Sequence, residues 1–344
     1  MNAMTLYWII FISIFLIVFA IDFYITDHRK GELSVSQALK WAGTWVAIAL
    51  LFGMAIFFFF PQNEGIDPAV AKTSTVMGIK FIAGYLTEYS LSVDNLFVFI
   101  MIFSMMGISS ENQPKLLKLG ILISIVLRIL FILVGMSLVQ RFEWIIYVFG
   151  AILVYTAFKM LLSKDEDNVD PSSNILYKGA SKLFPIDPDT HSSKFFTKIN
   201  GKKHITVIFL CLLVIGSTDI LFAIDSIPAI IGVINEGAKG ILTVSEENFL
   251  AISSNVFAVM GLVSLFFALK GIMGMFRFLK QGVCIILLFI GVKMILGWWE
   301  PVSHFFHDHS WVSLAVIIGT LLFSIILSRI IPEKVAEEKL NEKN

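Results

Sequence analysis

The chain has 344 residues, 57% hydrophobic and only 15% charged, and its 26 basic and 26 acidic residues cancel to a formal net charge of zero. A soluble domain of this size carries roughly 25% charged residues, so the composition excludes an ordinary soluble protein, and the charge balance gives no footing for nucleic acid. The apolar residues gather in runs of Ile, Leu, Phe and Val, and a run of about 20 residues crosses a bilayer as a helix.

Nine spans are expected. The first, 5–26, lacks the basic leading segment and small-residue cleavage site of a signal peptide and reads as a retained span. Asp22, near its inner end, reads either as a membrane-edge acid or cap or as a residue of a transport path. The second span, 41–60, ends in Phe57-Phe58-Phe59-Phe60, which suits lipid or core. Spans follow at 77–104, 119–138 and 144–162, the third being long enough to tilt or break. The polar stretch 163–204, with Lys164-Asp165-Glu166-Asp167, reads as a loop carrying a short surface helix. Spans resume at 205–234, 249–269, 281–298 and 311–331, and a charged tail closes the chain at 332–344. Cys211 and Cys284 both lie in apolar runs and read as small core residues. His304, His307 and His309 fall in the loop before the last span. Lys159 and Lys293 can snorkel to opposite interfaces. The fold class is therefore all-α, a polytopic membrane protein.

Cytoplasmic loops hold the excess of Lys and Arg. Nineteen of the 26 lie in loops after odd-numbered spans or in the tail, against three after even-numbered spans. The N-terminus is expected outside, and the 163–204 loop and the C-terminus in the cytoplasm, for a protein of the bacterial inner membrane.

An internal repeat organises the spans. Thr87-Glu88-Tyr89-Ser90-Leu91-Ser92-Val93-Asp94-Asn95 aligns with Thr218-Asp219-Ile220-Leu221-Phe222-Ala223-Ile224-Asp225-Ser226 at an offset of 131, and Phe158-Lys159-Met160 aligns with Val292-Lys293-Met294 at 134. Two three-span units follow, 77–162 and 205–298, after two leading helices in 1–76 and before the outside loop and last helix in 299–331. An odd number of spans per unit makes the units inverted, and inverted units mark secondary transporters with a midplane site.

The repeated motif is acidic. A carboxylate in hydrocarbon costs at least ~2.5 kcal/mol on insertion scales, so Glu88, Asp94, Asp219 and Asp225 are expected to face a cation, a cavity or one another. Ser90, Ser92, Asn95, Ser217, Thr218 and Ser226 add neutral oxygens. Such a hard-ligand set suits Mn²⁺, Ca²⁺ or Mg²⁺ as transported substrate. No bound cofactor is expected. Arg128, mid-span in the fourth helix, offsets one unit of charge. Pro228, three residues after Asp225, is expected to kink or unwind the sixth span. Buried carboxylates can also take up protons, so metal–proton exchange is an expected mode. No phosphate loop or zinc-protease motif is present, and an enzyme is not expected.

At these residues the chain resembles the TerC family, and within it the Alx-like branch. The matching stretches are Glu88–Phe99 and Asp219–Ile230, with Ala20-Ile21-Asp22, Trp41–Phe52, Tyr147–Gly150 and Ser254–Ala258. The resemblance implies an integral membrane protein of metal homeostasis: members are linked to manganese export, to metal loading of exported proteins and, by name, to tellurite resistance. It puts metal-site roles on Glu88, Asp94, Asp219 and Asp225. The chain departs from the family pattern twice, with Gly216 where a Glu is usual and Val263 where an Arg is usual, which removes one buried acid and one buried base together. Three functions stand open: a Mn²⁺ exporter working by alternating access, a non-transporting scaffold for metal loading or folding, and a tellurite or stress-resistance component.

Overall fold

A computed structural model describes residues 3–21, 35–67, 72–162, 175–187, 193–199, 201–235, 238, 240–271, 278–308 and 311–331. Helices α1 (Ala3–Ala20), α2 (Val35–Phe59), α3 (Thr73–Met105), α4 (Gln113–Arg141) and α5 (Ile145–Leu162) are followed by α6 (Ile175–Leu183). Strands β1 (Ile186–Asp187), β2 (Phe196–Ile199) and β3 (Lys202–Thr206) come next. Then come α7 (Val207–Asn235), α8 (Val244–Val259), α9 (Leu262–Gly271), α10 (Leu279–Leu296), α11 (Glu300–Asp308) and α12 (Trp311–Ile330). By length and composition α2, α4 and the α8–α9 run can each cross a membrane, and α1, α5, α10 and α12 carry shorter apolar stretches. The expected all-α class is what forms.

Polarity runs opposite to that of a water-soluble fold. Phe58 and Phe59 are 69% and 78% exposed, and Val126, Leu162 and Phe323 are exposed too. Glu88, Arg128, Asp219 and Asn255 are buried at 0%, 1%, 3% and 0%. Apolar exterior and charged interior together are the signature of a bilayer as solvent. The four-phenylalanine run divides, with Phe60 turned inward onto Tyr7.

The helix α8 is the centre of the molecule. Its Phe249 and Phe257 meet Tyr7 and Phe11 of α1 and Phe52 of α2, and Phe257 also meets Phe81 of α3. Its start is fixed by a reciprocal cap: Glu246 donates its backbone N–H to Thr243 Oγ1 at 3.3 Å, and Thr243 donates its own to Glu246 Oε2 at 2.7 Å. Asn63 Nδ2 donates to the same carboxylate at 2.8 Å, tying the loop after α2 to this cap.

Around that centre α3 runs alongside α8 and α9, with Gly84 against Ser254 and Phe103 against Phe266. The helix α4 runs alongside α7 in the same sense, with Gly120 against Ile215 and Gly135 against Ile231. The helices α3 and α7 pass in opposite directions, joined by Lys80 to Val233 and Phe99 to Phe222. Also antiparallel, α5 and α10 approach closely because both carry glycine: a Cβ at Gly150 would stand 2.9 Å from the Gly291 carbonyl, and one at Gly291 2.8 Å from the Gly150 carbonyl.

Five local features differ from the expectations. The sixth span does not unwind: α7 continues through Pro228. A proline forfeits one backbone hydrogen bond, and the packing of α7 on α3, α4 and α5 holds the flanking turns. The break falls in the seventh span, at Met260-Gly261, where Gly261 has φ +85° and the Trp45 ring fills the place of its missing Cβ. Within 163–204 the surface helix α6 is joined by a sheet in the order β1-β3-β2. Ile199 pairs with Lys202 across Asn200-Gly201, a two-residue hairpin sequence. The loop before the last span contains α11, outside of whose described side chains His304 and His307 fall, as does residue 309. Lys293 does not snorkel: it is buried, donates to Ser313 Oγ at 3.0 Å and stands 5.4 Å from the rings of Phe289 and Phe306. Lys159 is exposed.

Candidate cation site

The site is built where α3, α4 and α7 meet. Glu88 lies mid-way along α3, and Ser92, one turn on, donates to its Oε1 at 3.0 Å. Arg128 lies mid-way along α4, and its Nε donates to Ser124 Oγ, one turn back, at 3.0 Å. That bond leaves the two terminal nitrogens of the guanidinium to point outward as a fork. One pairs with Glu88, and the other reaches Asp219 Oδ1 on α7 at 3.3 Å. The arginine thus bridges carboxylates of α3 and α7. Two acids and one base leave a charge of −1 among buried side chains. Removing either kind of partner from such a cluster strands a buried charge.

The cluster is only half satisfied. Glu88 Oε2, Asp219 Oδ2 and Arg128 Nη1 have no hydrogen-bond partner, and elsewhere on α3 and α7 neither do the hydroxyls of Thr87, Ser90 and Ser226 or Nδ2 of Asn95. Buried polar atoms are nearly always paired, and each one left bare costs about 1–3 kcal/mol. An ion or water with several oxygen partners would remove that cost. Ser217 and Thr218 differ, because both hydroxyls donate to the Val214 carbonyl, at 2.9 and 2.7 Å.

The site residues expected from sequence fall into three groups. Glu88, Ser92, Arg128 and Asp219 are brought together. Asp94 and Asp225 lie on α3 and α7, each six residues past the acid of its own motif, but their side chains lie outside the described set, and Asp22 lies outside it altogether. Pro228 lines an apolar cavity of about 200 Å³ with Phe131, Gly135, Phe149 and Ile227, and so does not line the polar cluster. Among the described residues no three His, Cys, Asp or Glu side chains converge.

One group was missed. Ser253, Ser254 and Asn255 on α8 are wholly buried, and both hydroxyls and both amide atoms of Asn255 lack partners. A Cβ at Gly84, one turn before Glu88, would lie 2.8 Å from Ser254 Oγ, so this polar triplet sits beside the acidic motif. Its signal was present as three consecutive polar residues inside the apolar run 249–269. At the two positions that depart from the family pattern, a side chain at Gly216 would meet nothing nearer than Ile123 at 3.9 Å, and Val263 is buried.

Residues 73–336 match the integral membrane protein TerC family. The chain is 36% identical over 323 residues to an uncharacterized membrane protein, STKORF319, of Myxococcus xanthus, covering 94% of this chain and 92% of that protein. It is 34% identical over 326 residues, 94% of each chain, to Alx of Escherichia coli (strain K12), whose name proposes a membrane-bound redox modulator. It is also 34% identical over 302 residues to the chloroplastic thylakoid membrane protein TERC of Arabidopsis thaliana, covering 88% of this chain and 71% of that protein. No solved structure matches.

Proposed function

The chain belongs to the integral membrane protein TerC family, and from that premise we propose that it is a divalent-cation transporter of the bacterial inner membrane whose principal substrate is Mn²⁺, moved out of the cytoplasm. The observation that carries the reading is the pair of buried carboxylates, Glu88 and Asp219, on separate helices of the two units, each with one oxygen unfilled. Carboxylate and hydroxyl oxygens without sulfur or imidazole select hard divalent ions. Asp94 and Asp225 complete the ligand set in this reading, with Ca²⁺ and Mg²⁺ as lesser substrates. The N-terminus lies outside and the C-terminus in the cytoplasm, following the bias of basic residues.

Alternating access suits the helix pairing. The helices α3 and α8 run together in one sense and α4 and α7 run together in one sense, which is the relation that exchange of two inverted units produces. An inward proton gradient supplies the driving force, taken up by carboxylates that the metal vacates.

The test is metal flux in proteoliposomes. Wild-type protein is expected to carry Mn²⁺ faster when a proton gradient is imposed, and Asp94→Asn and Asp225→Asn each to lower that flux at least about tenfold, the scale of a lost charged ligand. Equal flux in all three proteins would sink the transport role of these acids, and absence of flux in the wild type would leave the scaffold reading, in which the family's link to metal loading needs no transport. The redox role in the name of Alx finds no exposed thiol here, because Cys211 and Cys284 are both buried, on different helices.

A further inference from the structure

The Arg128 guanidinium stands where a cation shared by Glu88 and Asp219 would stand. It is paired with both carboxylates. Both of its terminal nitrogens are committed to them, and its third nitrogen is tied back to Ser124 at 3.0 Å. We propose that Arg128 is a specificity-determining residue: it occupies the site between substrate ions as a resident cation, and only a divalent ion can displace it. The inference rests on the cation-transport reading and adds to it the reason that sodium and potassium are excluded.

The argument is one of charge. With arginine in place, the two carboxylates and the guanidinium sum to −1. A monovalent ion that takes the arginine's place restores the same −1 and forfeits the ion pair with Glu88 and the charge-assisted hydrogen bond to Asp219, so the exchange runs uphill. A divalent ion brings one more positive charge to the carboxylates than arginine or a monovalent ion does, with or without Asp94 and Asp225, and in a low-dielectric interior that extra unit outweighs the lost contacts. The unfilled oxygens, Glu88 Oε2 and Asp219 Oδ2, give the incoming ion a first foothold before the guanidinium leaves. Ser124 is the positioning residue. It holds Nε one turn back on α4 and so keeps the fork aimed across to α3 and α7. Without that anchor the long side chain has more rotamers, and its effective concentration at the carboxylates falls.

The experiment uses the full chain in lipid nanodiscs and reads Mn²⁺ binding by titration, in about 100 mM sodium chloride and in choline chloride of the same ionic strength so that screening is matched. Wild type is expected to bind Mn²⁺ equally in both salts. Arg128→Gln is expected to bind about tenfold tighter in choline, which corresponds to the loss of one competing cation, and to give back most of that gain in sodium. Ser124→Ala, which keeps every charge, is expected to shift the same way by a smaller factor. It decides the matter if Arg128→Gln does not survive purification. Unchanged or weaker Mn²⁺ binding in Arg128→Gln, or in Ser124→Ala when it stands alone, overturns the inference while leaving cation transport intact. Failure of the wild type to bind Mn²⁺, Ca²⁺ or Mg²⁺ in either salt overturns the transport reading and this inference together.

Discussion

The two three-helix units bring different chemistry to one shared core. In the packing, α3 lies on α8 as α7 lies on α4, so the middle helices α4 and α8 hold corresponding places. The helix α4 is a single run of 29 residues and supplies a charge, Arg128, with Ser124 to aim it. Its counterpart stops at Val259, resumes as α9 at Leu262, and supplies only the neutral Ser253, Ser254 and Asn255. Helices in corresponding places thus carry different side chains. One side of the site is an ion pair aimed by Ser124, and the other is neutral polar surface still short of partners.

That contrast can be broken at several points. Arg128→Leu strands two carboxylates and is expected to lower stability by about 3–5 kcal/mol, measured as thermal unfolding in nanodiscs, with excess Mn²⁺ recovering most of the loss. Gly150→Val drives a side chain into the Gly291 carbonyl at the α5–α10 crossing and is expected to cost about 1–3 kcal/mol. Adding Mn²⁺ returns nothing there, which separates packing from the site. Thr243→Ala removes the cap of α8 and is expected to cost about 1 kcal/mol. Its effect is on the neutral side alone, so Mn²⁺ affinity holds. Asn255→Leu has the smallest effect on stability, within about 1 kcal/mol of wild type and of either sign, because the amide it removes is already unpaired. It is nevertheless expected to slow Mn²⁺ flux, and wild-type flux in Asn255→Leu would show that the neutral side is only packing.

Much of this was legible in the sequence because hydrocarbon leaves charges few places to go. Glu88, Arg128 and Asp219 stood out as isolated charges in apolar runs, and the structure joins them. The repeat of the acidic motif anticipated that its two copies would meet. Other parts needed three dimensions. Pro228 signalled a break, yet helix packing decides whether one lost hydrogen bond opens a turn, and here α7 stays closed. The real break depended on the Trp45 ring, 216 residues away from Gly261 and invisible to local reasoning. Lys159 and Lys293, which match in the sequence, occupy unlike surroundings, the first exposed and the second buried against Ser313. Asn200-Gly201, by contrast, was a plain hairpin signal overlooked because the whole region reads as loop.

The last strand of that hairpin ends at Thr206, and α7 begins at Val207 with no linker between them. Thr206 is pinned from both sides, its hydroxyl donating to the Lys194 carbonyl at 2.7 Å while its N–H bonds the Phe195 carbonyl at 3.1 Å. The sheet therefore works as a handle fused to a shaft. Twelve residues further on, about 18 Å at helical rise, the same shaft carries Asp219. Any rocking of α7 that opens the carboxylates to one face must swing the sheet through a matching arc. A fluorophore or spin label on exposed Lys198 would read that arc, and on the proposed transport cycle a binder clamped across β2 and β3 is expected to slow flux without coming near the carboxylates.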